Sequence, residues 1–98
     1  MAGYNVVRFT VKEGMDDKFI NENKTLAFNA KGFRKANMIK TGDRDYCFIA
    51  EWDSASDSLN AEEVMVSMLD RFRDTLEERA EGNGVTDFVV GDVVVDYQ

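Results

Sequence analysis

The sequence predicts an α+β domain with one four-stranded antiparallel sheet, in the order strand, helix, strand, strand, helix, strand. Three observations predict it. Apolar patterns of period two and of helical period follow one another in that order along 98 residues. A short polar connection joins the second and third strands, which makes them an antiparallel hairpin. The strands carry apolar residues on both sides, so both faces of the sheet ask for cover.

Residues 4–12 are rich in β-branched and aromatic types and read as the first strand. Asn5, Val7, Phe9 and Val11 share the more apolar face, which should meet the helices. Gly14 ends the strand. Residues 15–30 read as a helix with Met15, Phe19, Leu26 and Ala30 near one stripe. Asp16 and Asp17 suit the positive end of its dipole, and Gly32 suits the left-handed stop.

Residues 33–40 read as the second strand, 41–45 as a turn, and 46–52 as the third strand. On that third strand Phe48, Ala50 and Trp52 share one face, and Cys47, Ile49 and Glu51 the other. The second helix is expected to start at Asn60. Glu63 stands in a capping-box relation to it, and Leu59 and Val64 in a hydrophobic staple. Met65, Met68 or Leu69, Phe72 and Leu76 repeat at helical spacing, and Gly82 and Gly84 end the helix. Residues 53–59 are a loop or a short turn. Residues 86–97 read as the last strand, with a bulge or bend at Gly91 or as two consecutive strand pieces.

Two split βαβ units of this kind give the ferredoxin-like arrangement, with both helices on one sheet face. All 98 residues are used by a single domain. Cys47-Phe48-Ile49-Ala50 and Val93-Val94-Val95 leave an apolar second face, and no segment remains to cover it. The expected cover is a second copy of the same sheet, making a homodimer that closes as an α/β barrel. Arg8 and Glu51 could pair inside that barrel, or stand as two exposed charges at a sheet end.

Composition excludes several function classes. The net charge of −7 repels phosphate backbones and anionic bilayers, so neither nucleic acid nor membrane is an expected partner. Met1-Ala2-Gly3-Tyr4-Asn5 lacks a basic region ahead of an apolar one, so no signal peptide is expected and the cytoplasm is the default compartment. There is no histidine and one cysteine, which removes the usual zinc sites and the commonest near-neutral base. No metal or cofactor is expected. Cys47 reads as a small buried hydrophobe, and Asp43 and Asp45 as turn residues rather than a calcium loop. Arg73 and Glu77 are spaced for a helical ion pair.

The chain resembles the dimeric α/β-barrel superfamily of the antibiotic-biosynthesis-monooxygenase type. The resemblance rests on Arg8-Phe9-Thr10-Val11-Lys12-Glu13-Gly14, on Lys31-Gly32-Phe33, and on Phe48-Ile49-Ala50-Glu51-Trp52-Asp53-Ser54. In element order it covers nearly the whole chain. It implies a homodimer, helices outside the barrel, and a pocket between each sheet and its helices. It also implies a range of activities that includes cofactor-independent oxygenases of quinol-like aromatics. The haem-degrading branch is not expected: Val7 stands where that branch has Asn, the second helical region has no Trp, and the chain has no His. Trp52 matches a tryptophan that ends the third strand across the family and is chiefly structural there.

Tyr46, Phe48, Trp52, Met68 and Phe72 are candidate walls of an apolar pocket for a planar ligand, or else they fill the core. Asn5 and Asn37 are candidate donors to a bound carbonyl or phenol, or else they are solvated at edges and turns. Two functions follow. One is a cofactor-independent monooxygenase acting on a small aromatic or quinone-type metabolite. The other is a non-catalytic dimeric module that binds a small ligand or merely assembles.

Overall fold

The computed structural model describes residues 2–79 and 84–97. Its elements are β1 (Gly3–Thr10), α1 (Asp16–Lys24), β2 (Phe33–Gly42), β3 (Asp45–Trp52), α2 (Ala55–Asn60), α3 (Glu62–Phe72), a 3₁₀ turn (Arg73–Thr75) and β4 (Asp87–Asp92). The strands form one antiparallel sheet in the order β2-β3-β1-β4. The ferredoxin-like α+β fold is therefore present, and the predicted strand faces hold. Register sets Asn5 opposite Ala50 and Val7 opposite Phe48, all on the face that the helices cover.

Strand ends shift by a residue or two, and the larger boundary differences each have a physical reason. Helix α1 stops at Lys24 rather than near residue 30. There Asn23 Nδ2 donates to the Phe19 carbonyl and Thr25 Oγ1 to that of Glu22, and such local bonds compete with helix continuation. The freed chain carries Phe28 across to Phe33 and Trp52, with ring centroids 4.4 and 5.7 Å away. The second helix begins earlier than expected, because Ser54 Oγ accepts from the Asp57 N–H. Asn60 therefore ends α2 instead of capping α3, and Leu59 and Val64 stay exposed rather than stapled.

Helix α3 ends at Phe72, so Leu76 is not on its stripe. Leu76 bridges to Val11, and the Glu77 N–H donates to the Thr10 carbonyl at 2.8 Å. The expected stop at Gly82 lies outside the described residues. Gly91 makes no bulge, since it pairs in register with Tyr4. Strand β4 instead ends at Asp92 because β1 has run out: the last bond is from Val93 N–H to the Ala2 carbonyl. The tail beyond leaves Val94 and Tyr97 exposed.

Within the chain neither of the considered charge pairs is made. Arg8 faces Cys47 and Glu51 faces Tyr4, so Arg8 and Glu51 lie at opposite ends of the β1–β3 ladder within the chain. Glu51 bonds to Arg34 at 3.0 Å instead. Arg73 pairs with Asp70, and Glu77 pairs with Arg44. Arg44 sits in the left-handed region at φ 61° in the β2–β3 turn. Its guanidinium also donates to the Val11 carbonyl, and these contacts hold a conformation that a non-glycine residue seldom adopts.

Candidate functional site

The helix-side face of the sheet is packed at one end and hollow at the other. Under α1, Phe9, Phe19, Tyr46 and Phe72 interlock, with Phe19 4.7 Å from Tyr46 and 5.4 Å from Phe72 between ring centroids. Toward α2 and α3 the same face opens into a cavity of about 210 Å³. Its floor is Asn5, Val7 and Phe48, with Phe88 and Val90 of β4 beside them. Its roof comes from α2 and α3, chiefly Ser58, Met65, Met68 and Leu69.

The approach of α2 to the sheet depends on Gly3. A Cβ there would lie 2.2 Å from the Ala55 nitrogen, so only glycine lets the start of the helix come this close. Asp92 Oδ1 accepts from the same Ala55 N–H at 2.8 Å and ties α2 to β4. Those two contacts set Ser58, one turn further on, at the edge of the cavity.

Of the candidate pocket residues, Asn5, Phe48, Met68 and Phe72 border the cavity. Three do not. Trp52 is fully buried one bond behind, because its register partner is Gly3 at the strand end. Its indole Nε1–H donates to Asn5 Oδ1 at 2.7 Å. Tyr46 is opposite Phe9 and so belongs to the packed end, where its hydroxyl donates to Asp16 Oδ2 at 2.6 Å. Burial, reinforced by that bond, pushes its phenol up to about 12 and removes it as a base near neutral pH. Asn37 is opposite Ile49, so it faces the far side of the sheet and is exposed.

Asn5 is a buried polar residue of the lining, held by a hydrogen bond from Trp52. It is 2% exposed. Trp52 occupies its carbonyl oxygen, which turns the amide nitrogen toward Met65 Sδ, 3.7 Å away. A thioether is a weak acceptor, so the amide N–H keeps most of its donor capacity. Among the described residues, Glu62 is the one charged residue on the lining, and it is exposed. Glu51 serves the other face, where its bond to Arg34 keeps the carboxyl below the usual range. Among the described residues no group of three or more His, Cys, Asp or Glu could hold a metal ion, and no helix is long and apolar enough to cross a membrane.

Sequence reasoning missed Ser58, Met65, Phe88 and Val90. Ser58 escaped because a helix start at Asn60 leaves 53–59 without a face, and Met65, though on the expected helical stripe, reads there as core rather than as pocket wall. Phe88 and Val90 had a readable cue: with β4 beside β1, strand alternation places them on one face.

No protein-family model matches the sequence, and neither does any curated protein. Solved structures do match. SnoaB, a cofactor-independent oxygenase from Streptomyces nogalater, aligns with a TM-score of 0.73 at 19% identity, over 97% of this chain and 95% of that one. A protein from Nitrosomonas europaea, named for the antibiotic biosynthesis monooxygenases, gives 0.74 at 11% identity over 95% and 90%. A dimeric ferredoxin-like protein from an uncultured marine organism gives 0.73 at 12% identity over 99% and 91%. At these identities the likeness is one of fold, and the fold is the ferredoxin-like one of antibiotic biosynthesis monooxygenase domain proteins.

Proposed function

We propose that this chain binds a single-ring aromatic or quinone-type molecule in the cavity between sheet and helices, and oxygenates it without a cofactor. The observation that carries the reading is Asn5, a buried amide oriented by Trp52 and set among mainly apolar walls. Apolar space with a few fixed polar groups is what small-molecule recognition requires. Size limits the ligand. A cavity of roughly 150 Å³ accommodates benzene, so about 210 Å³ suits one substituted ring. SnoaB, similar in fold, is named a cofactor-independent oxygenase, which supports the reaction class. In such a reaction the electron-rich substrate itself reduces dioxygen. One oxygen atom enters the substrate, and the other leaves as water with two substrate hydrogens. Dioxygen uptake by the purified protein with a panel of monocyclic quinols tests this. Uptake matched by oxygenated product is the expected result. Binding without uptake removes the reaction and leaves the alternative, a non-catalytic dimeric small-ligand-binding or assembly module. The scarcity of titratable groups on the lining favours that second reading.

The working unit in either reading is a homodimer. The sheet face away from the helices carries Val6, Ile39, Ile49 and Val89, and Val89 is 66% exposed. An apolar face of this kind asks for a partner. The similar marine protein is described as dimeric, which supports the same arrangement here. Light scattering over a dilution series should give twice 11.1 kDa. A persistent monomer would remove the barrel.

A further inference from the structure

The cavity holds a second buried polar group that the fold does not use. Ser58 is 0% exposed, and its Oγ finds no hydrogen-bond partner among the described residues. A hydroxyl left unpaired in a protein interior is costly, so each one needs a reason. Ser58 borders the same cavity as Asn5, whose amide nitrogen donates, among the described residues, to the Met65 thioether alone. Both donors thus belong to residues that line one small, mainly apolar space. Methionine is flexible, so Met65 can yield to an incoming atom.

We infer that Asn5 and Ser58 form a two-donor clamp for a single acceptor oxygen, which makes the preferred ligand a single-ring aromatic that carries a carbonyl group. The inference rests on the cavity being a ligand site. It adds which functional group the site selects. One carbonyl oxygen has two lone pairs and accepts from both the Asn5 amide and the Ser58 hydroxyl. A hydrocarbon of the same shape would leave both donors unpaired, and buried unpaired donors are what give a polar site its discrimination.

The test uses acetophenone and its near-isostere α-methylstyrene, which replaces the carbonyl oxygen by a methylene. Calorimetric titrations are run on the intact protein and on Ser58→Ala. The wild type should bind acetophenone, and Ser58→Ala should weaken that binding about tenfold, the worth of roughly one hydrogen bond. Binding of α-methylstyrene should be unchanged or tighter in the variant. Without ligand, Ser58→Ala should melt no lower than the wild type, since the hydroxyl bonds to none of the described residues. A lower melting temperature would show that the hydroxyl serves the fold, and would overturn the clamp. Equal weakening of both ligands, or of neither, would overturn it too while leaving the cavity as a binding site. Failure of both ligands to bind the wild type would overturn the site itself.

Discussion

The two ends of the helix-side layer are built from the same kinds of residue and reach opposite results. Beneath α1 the space is filled by Phe9, Phe19, Tyr46 and Phe72, whose centroids lie 4.7 to 6.1 Å apart. Beneath α2 and α3 about 210 Å³ is left open. Hydrophobicity does not separate the ends, since both are walled by Phe, Met, Leu and Val. What separates them is how each helix is held. Helix α1 is drawn in by the side chain of Phe19, which is fully buried. Helix α2 is held through its own backbone at Ala55, by close approach to Gly3 and by the Asp92 carboxylate, so its side chains are not forced to fill the space beside it.

The largest expected effect tests the packed end. Phe19→Ala should cost about 3–5 kcal/mol, because the emptied ring sits among three other aromatics that cannot collapse together. Met65→Ala at the hollow end should cost about 2 kcal/mol or less, since Met65 is half-buried and already borders open space. Urea unfolding of both variants measures the difference. Equal losses would break the comparison.

Gly3→Ala comes next. Its Cβ would meet the Ala55 nitrogen at 2.2 Å and the Ser54 carbonyl carbon at 2.5 Å, and backbone cannot swing aside as a side chain can. The start of α2 must move off the sheet, at a cost of about 1–3 kcal/mol. Val11→Leu, an added methylene at a 0% exposed site in the packed end, should cost a similar amount. Only Gly3→Ala should also alter ligand binding, because only it moves Ser58.

Tyr46→Phe has a smaller effect with a pH signature. At neutral pH it should lose about 1 kcal/mol, the net worth of the bond to Asp16. The sign of the alkaline limb follows from the phenol's shift. Folding favours the neutral phenol, raising its value from 10 to about 12. The stabilisation is therefore complete below pH 10 and is lost as pH rises through 12. The wild type should lose stability over that window more steeply than Tyr46→Phe. Parallel curves would mean that the Tyr46 environment does not hold the packed end.

The packed end was largely legible in the sequence. Phe9, Phe19 and Phe72 fall on recognisable strand and helix periods, and strand alternation correctly placed Phe48, Ala50 and Trp52 together. The hollow end was not. Its roof begins at a cap, Ser54, that a better-looking motif at Asn60 and Glu63 obscured. Its key polar residue, Ser58, stands in a short helix with no period of its own. Tyr46 and Trp52 were grouped with the pocket because alternation gives the face and not the position along the strand. That position comes from register, which sets Tyr46 against Phe9 and Trp52 against Gly3. Asn37 failed on the face itself, since β2 alternates too weakly for its register with Ile49 to be read in advance.

The smallest effect discriminates most sharply, because its sign should differ between the ends. Val90 is half-buried and borders the cavity opposite Asn5. Val90→Leu places one more methylene into open apolar space, a gain of about 0.8 kcal/mol. Leucine's lower strand preference takes back part of that gain. The same exchange at Val11 must push into neighbours that leave it no room. A net gain at Val90 beside a loss at Val11 would establish that the hollow is real space in solution. Loss of aromatic ligand binding in the stabilised Val90→Leu protein would then show that the space is kept open at the expense of stability. A loss at both positions would mean that α2 and α3 close down on the sheet in solution, leaving Asn5 and Ser58 nothing to hold.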